Sequence, residues 1–258
     1  MSELYDQAAQ VNRQTWDSIR RQRDGGLIQT HHDVAAQLLA GNTCLSPEQR
    51  MLAGDVPGKR LLDLGCGDGC ELLEWARAGA KAVGVDNSPL QIAAATRAAE
   101  RLGIACKLVV ADILHLPEDL LQGDFDVVFS SWVTAWIGDV SRWMELVSLA
   151  LKPGGVFLLS GGHPVTAFVS DLQEAPPLRY SYFAEGPFRE EGGVSREWNP
   201  AGDPQPTIEW RPTLSRLVTS VAQAGLRISH LIEAGDAQAK FHLAGYPAAF
   251  HLRATKEE

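Results

Sequence analysis

An open α/β sheet, mostly parallel and covered by helices on both faces, is the fold class this 258-residue sequence predicts. Three observations predict it. A short apolar strand, Arg60–Leu64, runs into the glycine turn Gly65-Cys66-Gly67-Asp68-Gly69 and then into an amphipathic helix. Strand-like and helix-like segments go on alternating from Lys59 to about Ser160, the pattern of crossover units in a parallel sheet. The segment Phe125-Asp126-Val127-Val128-Phe129 is apolar on both faces, as a central parallel strand must be.

Taken in order, residues 1–55 read as a helical cover, with Leu4, Ala8, Val11 and Thr15 on one face of a first helix and Val34, Leu38 and Leu39 on another. Tyr5 and Trp16 either close over a ligand or anchor that first helix to the core. Ser46-Pro47-Glu48 starts a further helix before the turn Val56-Pro57-Gly58. Strand one, Arg60–Leu64, is followed by helix Glu71–Ala78, which a left-handed Gly79 ends. Strand two is Lys81–Val85. Ser88 caps and Pro89 opens the next helix, Leu90–Leu102, which stops at Gly103. Strand three is Cys106–Val110 and strand four Phe125–Phe129. Helix Asp139–Leu151 meets the turn Lys152-Pro153-Gly154-Gly155, then strand five, Val156–Leu159. Near the end, Pro212–Ala224 reads as a helix between that core and two last strands, Leu226–Glu233 and Ala248–Ala254.

The expected organisation is one domain, residues 1–258: cover 1–55, ligand-binding core 56–162, inserted cap 163–211, and 212–258 completing the sheet. A composition of 45% hydrophobic and 21% charged residues is that of a globular chain with one sizeable core. The formal charge of −9, with no Lys/Arg cluster, argues against a nucleic-acid partner. No apolar run reaches the ~20 residues that span a bilayer, and no signal-peptide pattern opens the chain, so a cytoplasmic protein without a membrane partner is expected. Cys44, Cys66, Cys70 and Cys106 lack C-x-x-C spacing and read as reduced thiols, Cys66 and Cys106 as core filler. His31-His32-Asp33 lacks ligand spacing, and no metal is expected.

A glycine loop at a helix N-terminus brings bare backbone N–H groups to a ligand. Two details turn this one away from a dinucleotide. The third glycine of that fingerprint is replaced by Cys70, and Asp63, near the strand's carboxyl end, would repel a pyrophosphate but attract a cation. Leu62-Asp63-Leu64-Gly65-Cys66-Gly67-Asp68-Gly69 closely resembles motif I of the class I S-adenosylmethionine-dependent methyltransferases. Val85-Asp86-Asn87-Ser88-Pro89 resembles that family's second motif, Ala111-Asp112-Ile113 its adenine site, and Lys152-Pro153-Gly154-Gly155 a further signature.

The resemblance implies a Rossmann-like methyltransferase fold, a seven-stranded, mostly parallel sheet in the order 3-2-1-4-5-7-6, and S-adenosylmethionine as cofactor with S-adenosylhomocysteine as product. It implies that Asp63, Gly65, Cys66, Gly67 and Gly69 hold the methionine end, that Asp86, with Asn87 beside it, binds the ribose, and that Asp112 and Ile113 hold the adenine. An acid after the second strand, 23 positions beyond Asp63, suits a vicinal diol because a carboxylate accepts two hydrogen bonds. Ser130 and Trp132, at the fourth strand's carboxyl end, should border the methyl group and sulfonium.

The cap should choose the acceptor. It is rich in rings, among them Tyr180, Tyr182, Phe183, Phe188 and Trp210, and Tyr180–Ala184 is expected to pair with Thr207–Arg211. Tyr5, Trp132, Trp136, His163, Tyr180, Tyr182 and Trp210 are the acceptor-site candidates, most cap rings being expected in the cap's own core. His163, just past the fifth strand, is the candidate catalytic base, against the alternative of a histidine fixed by a turn hydrogen bond. The expected reaction is O-, N- or C-methylation of a small aromatic or apolar metabolite, of the kind found in secondary metabolism, by in-line displacement. A nicotinamide-dependent oxidoreductase and a catalytically silent cofactor-binding subunit are the alternatives, and a homo-oligomer stays open.

Overall fold

The computed structural model describes residues 2–26, 33–165, 181–191, 203, 205–235 and 247–257. Strand β1 (Arg60–Leu64) lies between β2 (Lys81–Asp86) and β4 (Phe125–Ser131), parallel to both, with Leu62 beside Val83 and Val128. β3 (Lys107–Val110) extends the sheet on one side and β5 (Leu151–Gly162) on the other. Two antiparallel strands, β8 (Leu226–Ala234) and β9 (Ala249–Lys256), complete the order β3-β2-β1-β4-β5-β9-β8. With the short cap strands left out, this is the expected order 3-2-1-4-5-7-6. The Lys152–Gly155 turn is an excursion within β5, because Leu151 already pairs with Phe125 before Val156 pairs with Val127.

Both sheet faces are buried, which is why β1 and β4 read as unbroken apolar runs. On one face Leu61, Val127, Phe129 and Leu158 pack under α3 (Pro47–Ala53) and α4 (Cys70–Arg77), with the Trp75 ring edge-on to Phe129. On the other, Leu62, Leu64, Val128 and Phe157 pack under α6 (Val140–Ala150) and α7 (Leu214–Gln223), where Trp143 is fully buried. α2 (Val34–Leu39) lies against α5 (Pro89–Leu102) through Val34, Leu38 and Ala98.

The long first helix, α1 (Ser2–Asp24), runs across the carboxyl ends of the strands. Its Asn12 side chain exchanges two hydrogen bonds with the backbone of Ile208, donating at 2.8 Å and accepting at 3.0 Å, so a helix residue closes a strand edge. That strand, β7 (Pro206–Glu209), pairs with β6 (Phe188–Glu191) as an antiparallel hairpin. Its partner is therefore not Tyr180–Ala184. Ser181–Ala184 forms a turn instead, the Ala184 N–H donating to Ser181 O and the Phe183 N–H to Ser181 Oγ, which takes those amides out of any ladder. Tyr180 and His31-His32 lie outside the described residues.

The expectation of four reduced cysteines is overturned for two of them. Cys44 and Cys70 are joined as a disulfide, with Cα atoms 5.8 Å apart. They meet because Glu74 on α4 accepts the N–H groups of Cys44 and Leu45 and the Thr43 hydroxyl, folding that segment onto the helix start. Cys66 is buried and free, as expected of a filler residue, and burial pushes its thiol well above the usual range.

Candidate active site

The carboxyl ends of β1, β2 and β4 converge on the glycine loop. Gly65 sits at φ +86°, where a Cβ would come 2.2 Å from Val133 Cγ1, so only glycine fits there. Gly69 opens α4 in a left-handed conformation, close to Ala95. Gly67, at φ +53°, has nothing within 4 Å of the place a Cβ would take. The loop's N–H groups are not bare, contrary to expectation. Gly65 and Cys66 donate to Val85 O, at 2.8 and 3.0 Å, Gly67 donates to Asp86 Oδ2 at 3.0 Å, and Gly69 to Cys66 O. Those four donors are spent within the protein and are not left to cradle a pyrophosphate.

Acids lie beneath the loop, while Arg20 and Arg23 of α1 reach its Asp68. Asp63 is 1% exposed, its Oδ2 has no hydrogen-bond partner, and burial, then Glu71 and Asp86, hold its carboxyl well above the usual range. Asp86 accepts Gly67 N–H on one oxygen and Ser88 N–H on the other, and burial still pushes it up to about 6. Burial likewise raises Glu71 to about 7, against hydrogen bonds from Gln49 and Ser131. Asp112 caps a short turn, Ile113–His115, accepting Leu114 N–H at 2.8 Å, while buried Ile113 packs into the core near Gly65.

The remaining predicted residues fall into two groups. Ser130 is fully buried and donates to Leu64 O at 2.7 Å, so it pins the end of β1. Asn87 donates to Ala9 O of α1. Trp132 stands apart: it takes φ +58° and is 53% exposed at the end of β4, a conformation that a bulky side chain seldom adopts. Among the described residues, several acceptor-site candidates pack against other parts of the chain. Tyr5 packs edge-on to buried Trp210, and together with Ala8 and Ile208 they make the contact between α1 and the hairpin. Trp136 packs edge-on to Trp16, and the Tyr182 hydroxyl accepts Leu214 N–H at the start of α7. His163 is buried with its ring turned towards a carboxylate. Nδ1 accepts Val165 N–H, the turn hydrogen bond weighed against a base, and Nε2 lies 2.7 Å from Glu233 Oε1.

Sequence reading missed the residues that α1 and α3 bring to this place. Ser88 Oγ donates to Asp17 at 2.6 Å, and Arg20 reaches Asp68 of the glycine loop at 3.4 Å. Gln49, on α3, donates to Glu71 at 2.9 Å and to Ser131 at 3.2 Å, all three beneath the loop. The only trace of Gln49 in the sequence is its place in a capping box with Ser46, which explains a helix start and no more. Among the described residues no group of His, Cys, Asp and Glu is arranged to hold a metal.

A family model described as a methyltransferase domain matches residues 55–180. The chain is similar to the ubiquinone biosynthesis O-methyltransferase of Nitrobacter winogradskyi, 34% identical over 104 residues, covering 40% of this chain but only 38% of that relative's length. Among solved structures, a S-adenosylmethionine-dependent methyltransferase from Mesorhizobium loti superposes with a TM-score of 0.65 at 24% identity, over 80% of this chain and 95% of that one. Magnesium protoporphyrin IX methyltransferase of Synechocystis, with S-adenosylhomocysteine bound, superposes with a TM-score of 0.59 at 17% identity, over 97% of this chain and 100% of that one.

Proposed function

We propose that this chain is a class I S-adenosylmethionine-dependent methyltransferase that methylates a small-molecule acceptor in front of β4. Asp63 and the glycine loop hold the methionine end of the cofactor, Asp86 the ribose, and Asp112 with Ile113 the adenine. The observation that carries this assignment is Asp63, a buried carboxylate whose Oδ2 has no partner, beneath a loop that is open above Gly67. A buried acid without a partner costs several kcal/mol, roughly, unless it is neutralised or meets a cation, and a cationic ligand supplies what the chain does not. When bound, S-adenosylmethionine supplies an electrophilic methyl group on a sulfonium.

The chain's own residues position rather than react. Asp86 gives one acceptor site per oxygen to the backbone, and a carboxylate has about four, so two hydroxyls can still be accepted. Ser130 holds the β1 end at a fixed height through Leu64 O, and Asn87 and Ser88 tie α1 over the loops, which excludes water. The exposed Trp132 ring offers a flat apolar wall for the acceptor, which favours an aromatic or otherwise apolar metabolite, in keeping with the quinone and sterol names among the relatives. We assign no proton transfer to His163, since its Nδ1 is an acceptor to Val165 and its Nε2 faces Glu233. In-line displacement needs alignment first, and an acceptor that is nucleophilic when bound needs no base.

Release of S-adenosylhomocysteine from S-adenosylmethionine, followed with a panel of phenols, quinols, indoles and amines, tests the reading. Turnover with a ring-bearing acceptor supports it. Tight S-adenosylhomocysteine binding with no turnover on any acceptor would favour a catalytically silent subunit instead.

A further inference from the structure

We infer that Glu71, held by Gln49 and Ser131, is a second carboxylate for the ammonium of the cofactor's amino-acid end, beside Asp63. The inference rests on the cofactor placement proposed above. Glu71 lies in the first turn of α4, where an acid ordinarily points to solvent and is stabilised by the helix dipole. Here it points inward. Gln49 Nε2, on a side chain only 4% exposed, donates to its Oε1 at 2.9 Å, and the buried Ser131 hydroxyl donates to it as well. Gln49 is itself fixed, its Oε1 accepting Ser46 N–H at 2.7 Å, and its amide also reaches Ser131 Oγ at 3.2 Å.

Gln49 bridges Glu71 to Ser131, two residues beyond Phe129, the β4 partner of Asp63, and Glu71 and Asp86 both raise the Asp63 carboxyl. The charge acting on Glu71 itself is Glu74 from α4, which is paired with Arg50. Gln49 from α3 and Ser131 from β4 are neutral. Among the described residues no ion pair reaches either acid, and Asp63 Oδ2 is buried without a hydrogen-bond partner, which is the environment that an ammonium stabilises. The alternative, a tie that merely fastens α3 to α4, explains Gln49 but not why the acid it grips sits next to Asp63. Glu71 is a positioning residue in this reading: with Asp63 it fixes where the amino-acid end, and hence the sulfonium, lies.

Calorimetric titration separates the two with a pair of ligands. S-adenosylhomocysteine carries the ammonium; 5′-methylthioadenosine lacks the amino-acid end altogether. For the wild type, S-adenosylhomocysteine should bind more tightly as pH rises from 6 to 7, by up to about tenfold, and release protons on binding, because the ammonium selects ionised Glu71. Glu71→Gln should weaken it about five- to tenfold at pH 8 and converge on the wild type at pH 6. 5′-Methylthioadenosine should bind both proteins alike at every pH. Equal weakening of both ligands by Glu71→Gln, or no proton release in the wild type, overturns the inference and leaves the cofactor placement standing. If Glu71→Gln does not fold, Gln49→Met takes its place: loss of its hydrogen bond to Glu71 should move the rise in S-adenosylhomocysteine affinity to higher pH and leave 5′-methylthioadenosine binding unaltered, and an unmoved rise overturns the inference. Failure of the wild type to bind either ligand overturns both.

Discussion

Gly67 and Gly65 stand two residues apart, and the structure separates what each one does. Placing alanine at Gly67 (φ +53°) costs about 1–2 kcal/mol for the left-handed backbone and nothing for packing, because no atom lies within 4 Å of the new Cβ. At about 2–4 °C per kcal/mol for a chain of this size, Gly67→Ala should melt roughly 2–8 °C below the wild type. Gly65→Ala meets Val133 Cγ1 at 2.2 Å on top of the same backbone cost, which adds ~1–3 kcal/mol of overpacking and takes the drop to roughly 4–20 °C. Binding should run in the opposite order of severity. The Gly67 methyl would stand in the open space that the cofactor is proposed to fill, and one misplaced methyl costs about 1–3 kcal/mol, roughly five- to 150-fold in affinity for S-adenosylhomocysteine. Thermal melts and calorimetry on the two variants measure both quantities. Gly67→Ala that binds S-adenosylhomocysteine as the wild type does would show that the ligand does not lie over the loop.

Three further outcomes are expected. Asp86→Ala should weaken S-adenosylhomocysteine binding by ~1.5–3 kcal/mol, roughly 10- to 150-fold by calorimetry, and unchanged affinity would displace the ribose from β2. Breaking the Cys44–Cys70 bridge, which spans 26 residues, with dithiothreitol or Cys44→Ser should cost about 2–4 kcal/mol and lower the melting temperature by roughly 4–16 °C; no shift would mean that the bridge does not form in solution. Glu71 and Asp86 have folded-state pKa values of about 7 and about 6, above the 4.5 and 3.8 usual for each, so the unfolded chain gives up these protons first. The stability they confer is complete below about pH 4 and lost as pH rises through 6 and 7, so the ligand-free protein should melt higher at pH 5 than at pH 8. Glu71→Gln should flatten that slope by up to about 3 kcal/mol, and an unaltered slope would refute the assignment.

The sheet was readable from the sequence because its strands are buried on both faces, and Leu61-Leu62 or Val127-Val128-Phe129 have no other stable place in a soluble chain. The acids near the strand ends were readable for a related reason: Asp86 and Asp112 each follow an apolar run, and Asp63 interrupts one. The cap was not, because rings do not announce what they face. Tyr5 and Trp210 spend their surface on each other, and Tyr182 spends its hydroxyl on the start of α7. The Cys44–Cys70 bridge and the Gln49–Glu71 contact depend on the segment before α3 folding back onto α4, a long-range contact that local periodicity cannot carry. The β6 strand was displaced because Tyr180–Ala184 has a strand's composition while Ser181 draws the backbone into a turn.

The loop's own chemistry gives the sequence argument against a dinucleotide a firmer basis than a missing glycine. A phosphate site needs backbone donors left over, and here Val85 O, Asp86 and Cys66 O have taken the N–H groups of Gly65, Cys66, Gly67 and Gly69. Those four donors are spent, Arg20 and Arg23 are turned to Asp68, and the buried acids at the strand ends are Asp63, Glu71 and Asp86. All three are pushed towards their neutral forms by burial, so each stands ready to regain its charge when a cation arrives. An anionic ligand would find every one of those interactions reversed. In the proposed function, selection of a cation over an anion therefore rests on how the backbone amides are spent and on which side chains lie beneath them; the glycines supply only the room.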